Sequence, residues 1–302
     1  MEKSVAVIVN ANSGSGSDEK HAEQIRDAFR AVGLSAEIFV AKRGEDLVKL
    51  AHGSVKSEAS VIAAGGGDGT VSVIASAIAG TDKLMGVLPL GTLNHFAKDL
   101  DLPSELPDAA KVIAEGATAE IDLGSVNGRT FINNSSIGLY PRIVRRREMQ
   151  QSLGRGKWAA AAWAALKVLR LSHFLTVKIV ADDAVLMRRT PFVFVGNNDY
   201  DMDLYNIGRR PRLDRGKLSV YFLRRGGRWG VIVMLLKTMI GRLKQWEDFE
   251  ALQTTSLTIE SKKKQLFVAI DGEVTTFGTP LEYKILPGAL RVIVPRREEE
   301  DQ

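Results

Sequence analysis

The stretch Ala63-Ala64-Gly65-Gly66-Gly67-Asp68-Gly69-Thr70 follows a short apolar run and precedes residues 71–79, whose apolar spacing is helical. Glycine lets the backbone approach an anion closely, and the N–H groups that begin a helix supply hydrogen-bond donors and a positive dipole. The stretch therefore predicts a phosphate-binding loop between a strand and a helix. Asp68 would repel phosphate unless a cation lay between them, so it indicates Mg²⁺ and a nucleoside triphosphate. The competing interpretation is a tight turn in which Asp68 is the helix N-cap.

Two further strand patterns end in small or hydroxyl-bearing residues. Residues 5–9 lead into Asn10-Ala11-Asn12-Ser13-Gly14, and residues 84–90 lead into Gly91-Thr92-Leu93-Asn94. Loops that follow parallel strands lie at the carboxyl edge of the sheet, where open α/β proteins bind their ligands. The glycine stretch has no Lys-Ser or Lys-Thr ending and no Gly-x-Gly-x-x-Gly spacing. It is therefore neither a Walker loop nor the usual dinucleotide loop.

These loops, in this order, resemble the diacylglycerol kinase catalytic-domain family, which includes soluble bacterial lipid kinases and sphingosine kinases. The resemblance covers most of the chain, from Asn10 to Glu273, and its motifs keep the family's order. The segments that carry it are Asn10-x-x-Ser13-Gly14, Gly66-Gly67-Asp68-Gly69-Thr70, Pro89-x-Gly91-Thr92-x-Asn94, Val195-Gly196-Asn197-Asn198, Leu213-x-x-Gly216-x-Leu218-x-Val220 and Asp271-Gly272-Glu273. It implies an α/β nucleotide-binding domain and a β-sandwich domain, with a last strand that returns to the first domain.

The order of predicted elements agrees with two domains. Residues 1–122 alternate strand and helix patterns, which predicts a doubly wound α/β domain, whereas residues 123–280 carry short antiparallel strand patterns. Residues 280–302 are expected to return to the first domain. Asn127-Gly128 predicts a type I′ hairpin turn. The predicted strands are 4–10, 35–41, 59–64, 84–90, 121–126, 130–135, 175–180, 192–195, 218–223, 256–261, 265–270 and 290–294, and the predicted helices are 17–33, 45–52, 71–79 and 109–115.

Composition excludes several classes of function. The 302 residues contain no cysteine, so disulfides and thiolate chemistry are absent, and the four histidines lack metal-ligand spacing. The longest apolar stretch of the C-terminal half, residues 231–236, is far shorter than the ~20 residues that span a bilayer. The first residues show no signal-peptide pattern. We therefore expect a cytoplasmic protein.

Basic residues are concentrated in two segments. Residues 142–170 and 205–246 together hold nineteen Lys and Arg against two acidic residues, and they contain all four tryptophans. Each basic side chain near anionic lipid contributes about 1 kcal/mol, so these segments predict peripheral association with an anionic membrane surface. Tryptophans packed in the core are the alternative, and a nucleic-acid partner ranks lower because no nucleic-acid motif is present. The sequence leaves the oligomeric state open, a homodimer included.

Asp271 and Glu273 are candidate catalytic carboxylates. On an extended segment their side chains would face the same way, and paired carboxylates suit acid–base work. A solvated hairpin with two surface acids is the alternative. The resemblance implies that Asp271 is the general base, that Glu273 orients it or supports the metal, and that Asp68 holds Mg²⁺. It also implies that ATP is cradled by Asn10, Ser13, Gly14, Gly65, Gly66, Gly67, Gly69, Thr70, Gly91 and Thr92, whereas Asn94 is expected to fix its own turn.

The chain departs from the family pattern at three positions. Arg215 stands where family members usually carry an acidic residue that in some binds a structural Mg²⁺, which leaves Asp214 as the candidate ligand. His95 follows Asn94 where the family often has Asp. Val40 stands where some members place a nucleotide-contacting Thr. None of these changes removes the glycine loop or the Asp-Gly-Glu segment.

The sequence therefore predicts an ATP- and Mg²⁺-dependent kinase that phosphorylates a lipid hydroxyl. Diacylglycerol is the default acceptor, and phosphatidylglycerol, a sphingoid base or another lipid alcohol is an alternative. An NAD kinase shares the Gly-Gly-Asp-Gly-Thr loop, but the Asn-Glu pair usual there is missing. A non-catalytic, membrane-recruited nucleotide sensor is the third hypothesis, which Arg215 keeps open.

Overall fold

The structure, a computed structural model, describes residues 4–11, 18–138, 174–182, 184–200, 210–223 and 249–296. The chain divides into two compact units. Unit 1 comprises Met1–Leu123, Arg212–Asp214 and Pro287–Gln302, and unit 2 comprises Gly124–Pro211 and Arg215–Leu286. Two long strands, β5 (Ala117–Val126) and β16 (Leu281–Val294), contribute residues to both units.

Unit 1 alternates strands and helices along the chain, as an α/β domain does. Its elements are β1 (Val5–Asn10), α1 (Asp18–Ala31), β2 (Ala36–Ala41), α2 (Gly44–Val55), β3 (Val61–Gly66), α3 (Asp68–Ile78), β4 (Leu84–Pro89), α4 (His95–Asp99) and α5 (Leu106–Glu115). The strands pair in parallel in the order β2-β1-β3-β4, and the end of β16 adds to β4 through Arg291 and Val292.

Burial explains why these strands are continuous apolar runs. Every residue of β1 from Val5 to Val9 is buried, as expected for a parallel strand that is covered on both faces. One core cluster joins the strands to α1 through Ile25 and Phe29 and to α5 through Ile113. The doubly wound α/β domain predicted from the sequence is confirmed.

Unit 2 is built from antiparallel strands. They are β6 (Arg129–Phe131), β7 (Asn134–Gly138), β8 (Leu175–Ala181), β9 (Ala184–Thr190), β10 (Phe192–Asn197), β11 (Leu218–Leu223), β12 (Phe249–Thr254), β13 (Ser256–Ser261), β14 (Gln265–Ile270) and β15 (Glu273–Gly278). One sheet has the order β12-β11-β10-β7-β14-β15. In the other, the start of β16 pairs with β13, followed by β8 and β9.

The core of unit 2 lies between these two sheets. Val177 and Ile259 from one sheet and Val195, Val220 and Val268 from the other belong to a single buried cluster. Alternate residues of β8 are buried, which is the pattern of a strand with one face on a core. The predicted β-sandwich is confirmed. Burial raises the pKa of Tyr283 despite its hydrogen bond to Ser135, so this core phenol stays protonated.

The structure corrects several predicted elements. Three strands, β9, β12 and β15, were not predicted, and each lies at an edge of its sheet. The predicted strand 130–135 is wrong as one element because Ile132 and Asn133 interrupt it between β6 and β7. The predicted last strand starts earlier, at Leu281. Positive φ at Asn127 and Gly128 confirms the type I′ turn.

Candidate functional site

The glycine stretch forms the junction between β3 and α3. Gly67 is the N-cap of α3, in extended conformation, and no side chain caps the helix there. The N–H groups of Asp68, Gly69 and Thr70 precede the first intrahelical hydrogen bond, which Val71 N–H donates to Gly67 O over 3.1 Å. A Cβ at Gly69 would meet nothing within 4 Å. The start of α3 therefore offers backbone donors with open space beside them, which is the geometry of an anion site.

A second glycine holds the β4–α4 loop against this junction. A Cβ on Gly91 would lie inside van der Waals contact with the Cα of Gly67 and 3.0 Å from its nitrogen. A Cβ on Gly66 would lie 2.5 Å from the hydroxyl of Thr70. Both glycines are therefore required by close packing, and the two loops approach backbone to backbone.

Parallel pairing brings the end of β1 to the same edge. β1 and β4 both flank β3, and the Nδ2 group of Asn10 donates to the hydroxyl of Thr70 over 3.4 Å. Thr70 is buried, so its hydroxyl stabilises the loop packing, whereas Thr92 is exposed. Ser13 and Gly14 lie outside the described residues. The sequence prediction that these strand ends converge is confirmed.

Asp68 has a role that the sequence did not indicate. Its two carboxylate oxygens accept the backbone N–H groups of His95 and Phe96 over 3.1 and 3.0 Å. The competing interpretation, that Asp68 caps its own helix, is wrong, because the N-cap of α3 is Gly67 and Asp68 binds the start of α4. Asn94 fixes its loop as expected, because its Nδ2 group donates to Pro89 O and Gly91 O.

The contact of Asp68 with α4 can be separated by substitution from its predicted role in holding Mg²⁺. Asparagine keeps one oxygen to accept the part-buried N–H of Phe96, but its NH₂ group would face the exposed N–H of His95, so Asp68→Asn should lower the free energy of unfolding by about 0.5–1 kcal/mol. Loss of the charge should raise the Mg²⁺ concentration for half-maximal ATP binding about tenfold. Asp68→Ala should raise the Mg²⁺ requirement by a similar factor and, because both acceptor oxygens are lost, should lower the free energy of unfolding by about 1–3 kcal/mol. Calorimetric ATP titrations at several Mg²⁺ concentrations measure the effect, and an unchanged profile for Asp68→Asn would leave Asp68 only the contact to α4.

In unit 2, Asp271 and Gly272 form the turn of the β14–β15 hairpin. Ile270 pairs with Glu273, and the two residues between them have φ values of 46° and 90°. The prediction that Asp271 and Glu273 share one face of an extended segment is wrong, because Asp271 is the first residue of a two-residue type I′ turn and Glu273 is the first residue of β15. Gly272, at φ 90°, takes the second position of this turn.

The Asp271 side chain turns back onto residues 132–134. Its Oδ2 accepts the N–H of Ile132 over 2.9 Å, and its Oδ1 accepts those of Asn133 and Asn134 over 2.8 and 3.0 Å. The backbone N–H of Asp271 also donates to Asn134 O over 2.9 Å. The carboxylate is therefore fixed in orientation, and it explains why residues 132 and 133 interrupt the strand pattern.

The remaining acidic candidates are paired with arginines. Glu273 and Arg129 form an exposed pair at 2.8 Å, which contributes about 0–1 kcal/mol to stability. Both oxygens of Asp214 bind the guanidinium of Arg212 at 2.9 and 2.8 Å, and this hydrogen bonding raises the pKa of Arg212. Arg215 pairs with Asp199 at 3.5 Å. Among the described residues no group of three or more His, Cys, Asp or Glu could hold a metal.

Most of the basic segments lie outside the described residues. Segment 142–170 and all four tryptophans belong to the undescribed part, and only residues 210–223 of the second segment are described. There Arg212, Arg215 and Lys217 are exposed, but Arg210 is 1% exposed. Arg210 is therefore no part of a surface, and nothing in the basic run Arg209-Arg210 distinguishes the buried arginine from its neighbour. No helix in the described ranges is long and apolar enough to cross a bilayer.

Comparison with known proteins identifies both halves of the chain. Residues 4–126 match the diacylglycerol kinase catalytic domain, and residues 140–294 match the YegS C-terminal NAD kinase beta sandwich-like domain. A probable lipid kinase YegS-like from Pseudomonas aeruginosa strain UCBPP-PA14 is 28% identical across 98% of this chain and 96% of that protein. A diacylglycerol kinase from Bacillus subtilis is 34% identical, but over only 43% of this chain and 44% of that protein.

Solved structures agree with this assignment of the fold. The crystal structure of a diacylglycerol kinase from Bacillus anthracis has a TM-score of 0.71 and 22% identity, and it covers 97% of each chain. A putative diacylglycerol kinase from the same organism reaches a TM-score of 0.73 at 23% identity with the same coverage. With the two matched domains, the ordered motifs and the shared fold, the chain belongs to the diacylglycerol kinase catalytic-domain family, a family of lipid kinases.

Proposed function

We propose that this enzyme transfers the γ-phosphoryl group of ATP to the hydroxyl group of a lipid, with diacylglycerol as the default acceptor. The observation that carries the proposal is the uncapped start of α3, with its backbone N–H groups beside the close-packed glycines of two loops. Phosphoryl transfer is catalysed mainly by positioning and electrostatic stabilisation, and these backbone donors supply both to a triphosphate.

In the reaction, the lipid hydroxyl oxygen forms a bond to the γ-phosphorus, and the bond from that phosphorus to the β,γ-bridging oxygen breaks. ADP leaves with the electron pair, and the hydroxyl proton passes to the carboxylate of Asp271. The three backbone N–H groups that bind Asp271 hold the carboxylate in one orientation for this transfer. Glu273 supports the same turn through its pair with Arg129.

Mg²⁺, when bound, would neutralise the charge of the phosphate oxygens. Asp68 fits this ion because each carboxylate oxygen, having accepted one N–H group, has a second lone pair for a Mg²⁺-bound water. Asp214 fits it less well, since both of its oxygens already bind the guanidinium of Arg212. We therefore assign the catalytic ion to Asp68.

Access to a lipid substrate requires contact with a membrane surface. The basic, tryptophan-containing segments 142–170 and 205–246 suit peripheral binding to anionic lipid, without Arg210, which is buried. Basic residues attract the headgroups, and tryptophan side chains favour the interfacial region.

The test is transfer of labelled γ-phosphate from ATP and Mg²⁺ to a panel of mixed vesicles. The panel contains diacylglycerol, phosphatidylglycerol or a sphingoid base in separate vesicles, and NAD is a soluble acceptor in parallel. We expect one labelled lipid, formed faster on vesicles with anionic lipid than on neutral ones. Labelled NADP would support an NAD kinase instead, and ATP binding without transfer to any acceptor would support a nucleotide sensor.

A further inference from the structure

Arg210 is a buried cation whose contacts converge on the segment that binds Asp271. Its Nη1 donates to Ile132 O over 2.5 Å and its Nη2 to the Oδ1 of Asn133 over 2.7 Å. The guanidinium also lies over the ring of Tyr200, 5.5 Å from the centroid. A buried charge is costly unless it is hydrogen-bonded, so these contacts must be made for the unit to fold around Arg210.

One peptide group connects Arg210 to Asp271. The carbonyl of Ile132 and the N–H of Asn133 belong to the same peptide, and the carbonyl accepts from Arg210 while the N–H donates to Asp271. The cation thus binds the negative end of this peptide dipole and the carboxylate binds the positive end. Hydrogen bonds in such a chain polarise and strengthen one another, more so where water is excluded.

The rest of the segment is held from the Arg210 side. Asn197 Nδ2 donates to Ile132 O over 2.9 Å, and Tyr200 Oη donates to Asn133 O over 2.8 Å. These neutral groups fix the segment, but Arg210 is the cationic donor that the described contacts show on the 132–133 peptide. A neutral side chain of similar size would lack this positive charge.

We propose that Arg210 is a positioning residue that holds the Ile132–Asn133 peptide and, through it, the carboxylate of Asp271. The proposal rests on the proposed function for its consequence in catalysis, because only a reacting Asp271 makes its orientation matter to turnover. Arg210 is 1% exposed, so it acts through the peptide and not on a substrate.

The test compares Arg210→Met and Arg210→Lys with Arg188→Met as the matched control. Arg188 is a partly buried arginine of unit 2 that pairs with Glu250 at 2.7 Å and lies over Phe222. Arg210→Met should lower kcat about ten- to hundredfold, as small misplacements of reacting groups do, with the KM for ATP within about twofold. Arg210→Lys should recover part of the loss, and Arg188→Met should leave kcat near wild type.

A second readout needs no turnover. Amide exchange at residues 132–134 should accelerate about tenfold in Arg210→Met and in Asp271→Asn. The double variant should exchange little faster than either single variant, because each substitution breaks the same chain of hydrogen bonds. Additive accelerations, or a kcat for Arg210→Met equal to that of Arg188→Met, would overturn the proposal. If the wild type phosphorylated no acceptor, the proposed function would fail, and the exchange cycle would still decide whether Arg210 positions Asp271.

Discussion

Replacement of Asp271 by asparagine is expected to lower the rate of phosphoryl transfer by about a hundred- to ten-thousandfold, the range that a general base contributes. Asparagine cannot accept the hydroxyl proton, but it tolerates the left-handed backbone conformation at φ 46°. Its amide oxygen can still accept the N–H groups of Asn133 and Asn134. The measurement is single-turnover transfer of labelled phosphate to the lipid acceptor, with ATP affinity determined in parallel.

Stability must be followed in the same variant because Asp271 also organises the backbone. The NH₂ group of the introduced asparagine would face the N–H of Ile132, and loss of that hydrogen bond should cost about 1–3 kcal/mol of unfolding free energy. Asp182→Asn is the matched control, since Asp182 is an exposed aspartate with φ 48° at the β8–β9 turn of the same unit. Undiminished transfer by a less stable Asp271→Asn would assign Asp271 to the backbone network alone.

The sequence predicted those parts of the fold in which pattern and burial coincide. The buried strands β1, β3 and β4 are uninterrupted apolar runs, and Asn127-Gly128 has the residues that a type I′ turn requires. The strands β9, β12 and β15 were missed; each lies at a sheet edge, but β2 lies at an edge too and was predicted, so edge position alone does not explain the misses. The loop motifs were expected at one edge of the sheet because the carboxyl ends of parallel strands lie side by side.

The sequence named candidate residues for the site, but it could not give their contacts. Gly91 and Asp68 were named as candidates, yet Gly91 packs on Gly67 and Asp68 binds the start of α4, and spacing along one loop cannot reveal contacts with another segment. Asp271 was named as a candidate as well, but its hydrogen bonds reach residues 132–134, more than 130 positions away. Arg210 was counted among the surface charges because its burial depends on tertiary contacts, and a run of basic residues in the sequence does not reveal those contacts.

Replacement of Gly91 by alanine is expected to weaken ATP binding about ten- to hundredfold, because a misplacement of about 1 Å in a binding site has this effect. The new Cβ would overlap the backbone of Gly67 and would lie 2.7 Å from the Oδ1 of Asn94, so the two loops must separate. Backbone atoms cannot rotate away as a flexible side chain can. Such overpacking should also cost about 1–3 kcal/mol of unfolding free energy.

Gly53→Ala distinguishes this steric effect from a general effect of adding a methyl group to unit 1. Gly53 lies in α2, it is exposed, and a Cβ there would meet nothing within 4 Å. Alanine in an exposed helix should stabilise the protein by about 0.5–1 kcal/mol and leave ATP affinity unchanged. Calorimetric ATP titration and thermal unfolding of both variants measure the contrast. Wild-type ATP affinity in Gly91→Ala would show that the nucleotide does not require the Gly67–Gly91 contact, and the start of α3 would then lose its principal support as the phosphate site.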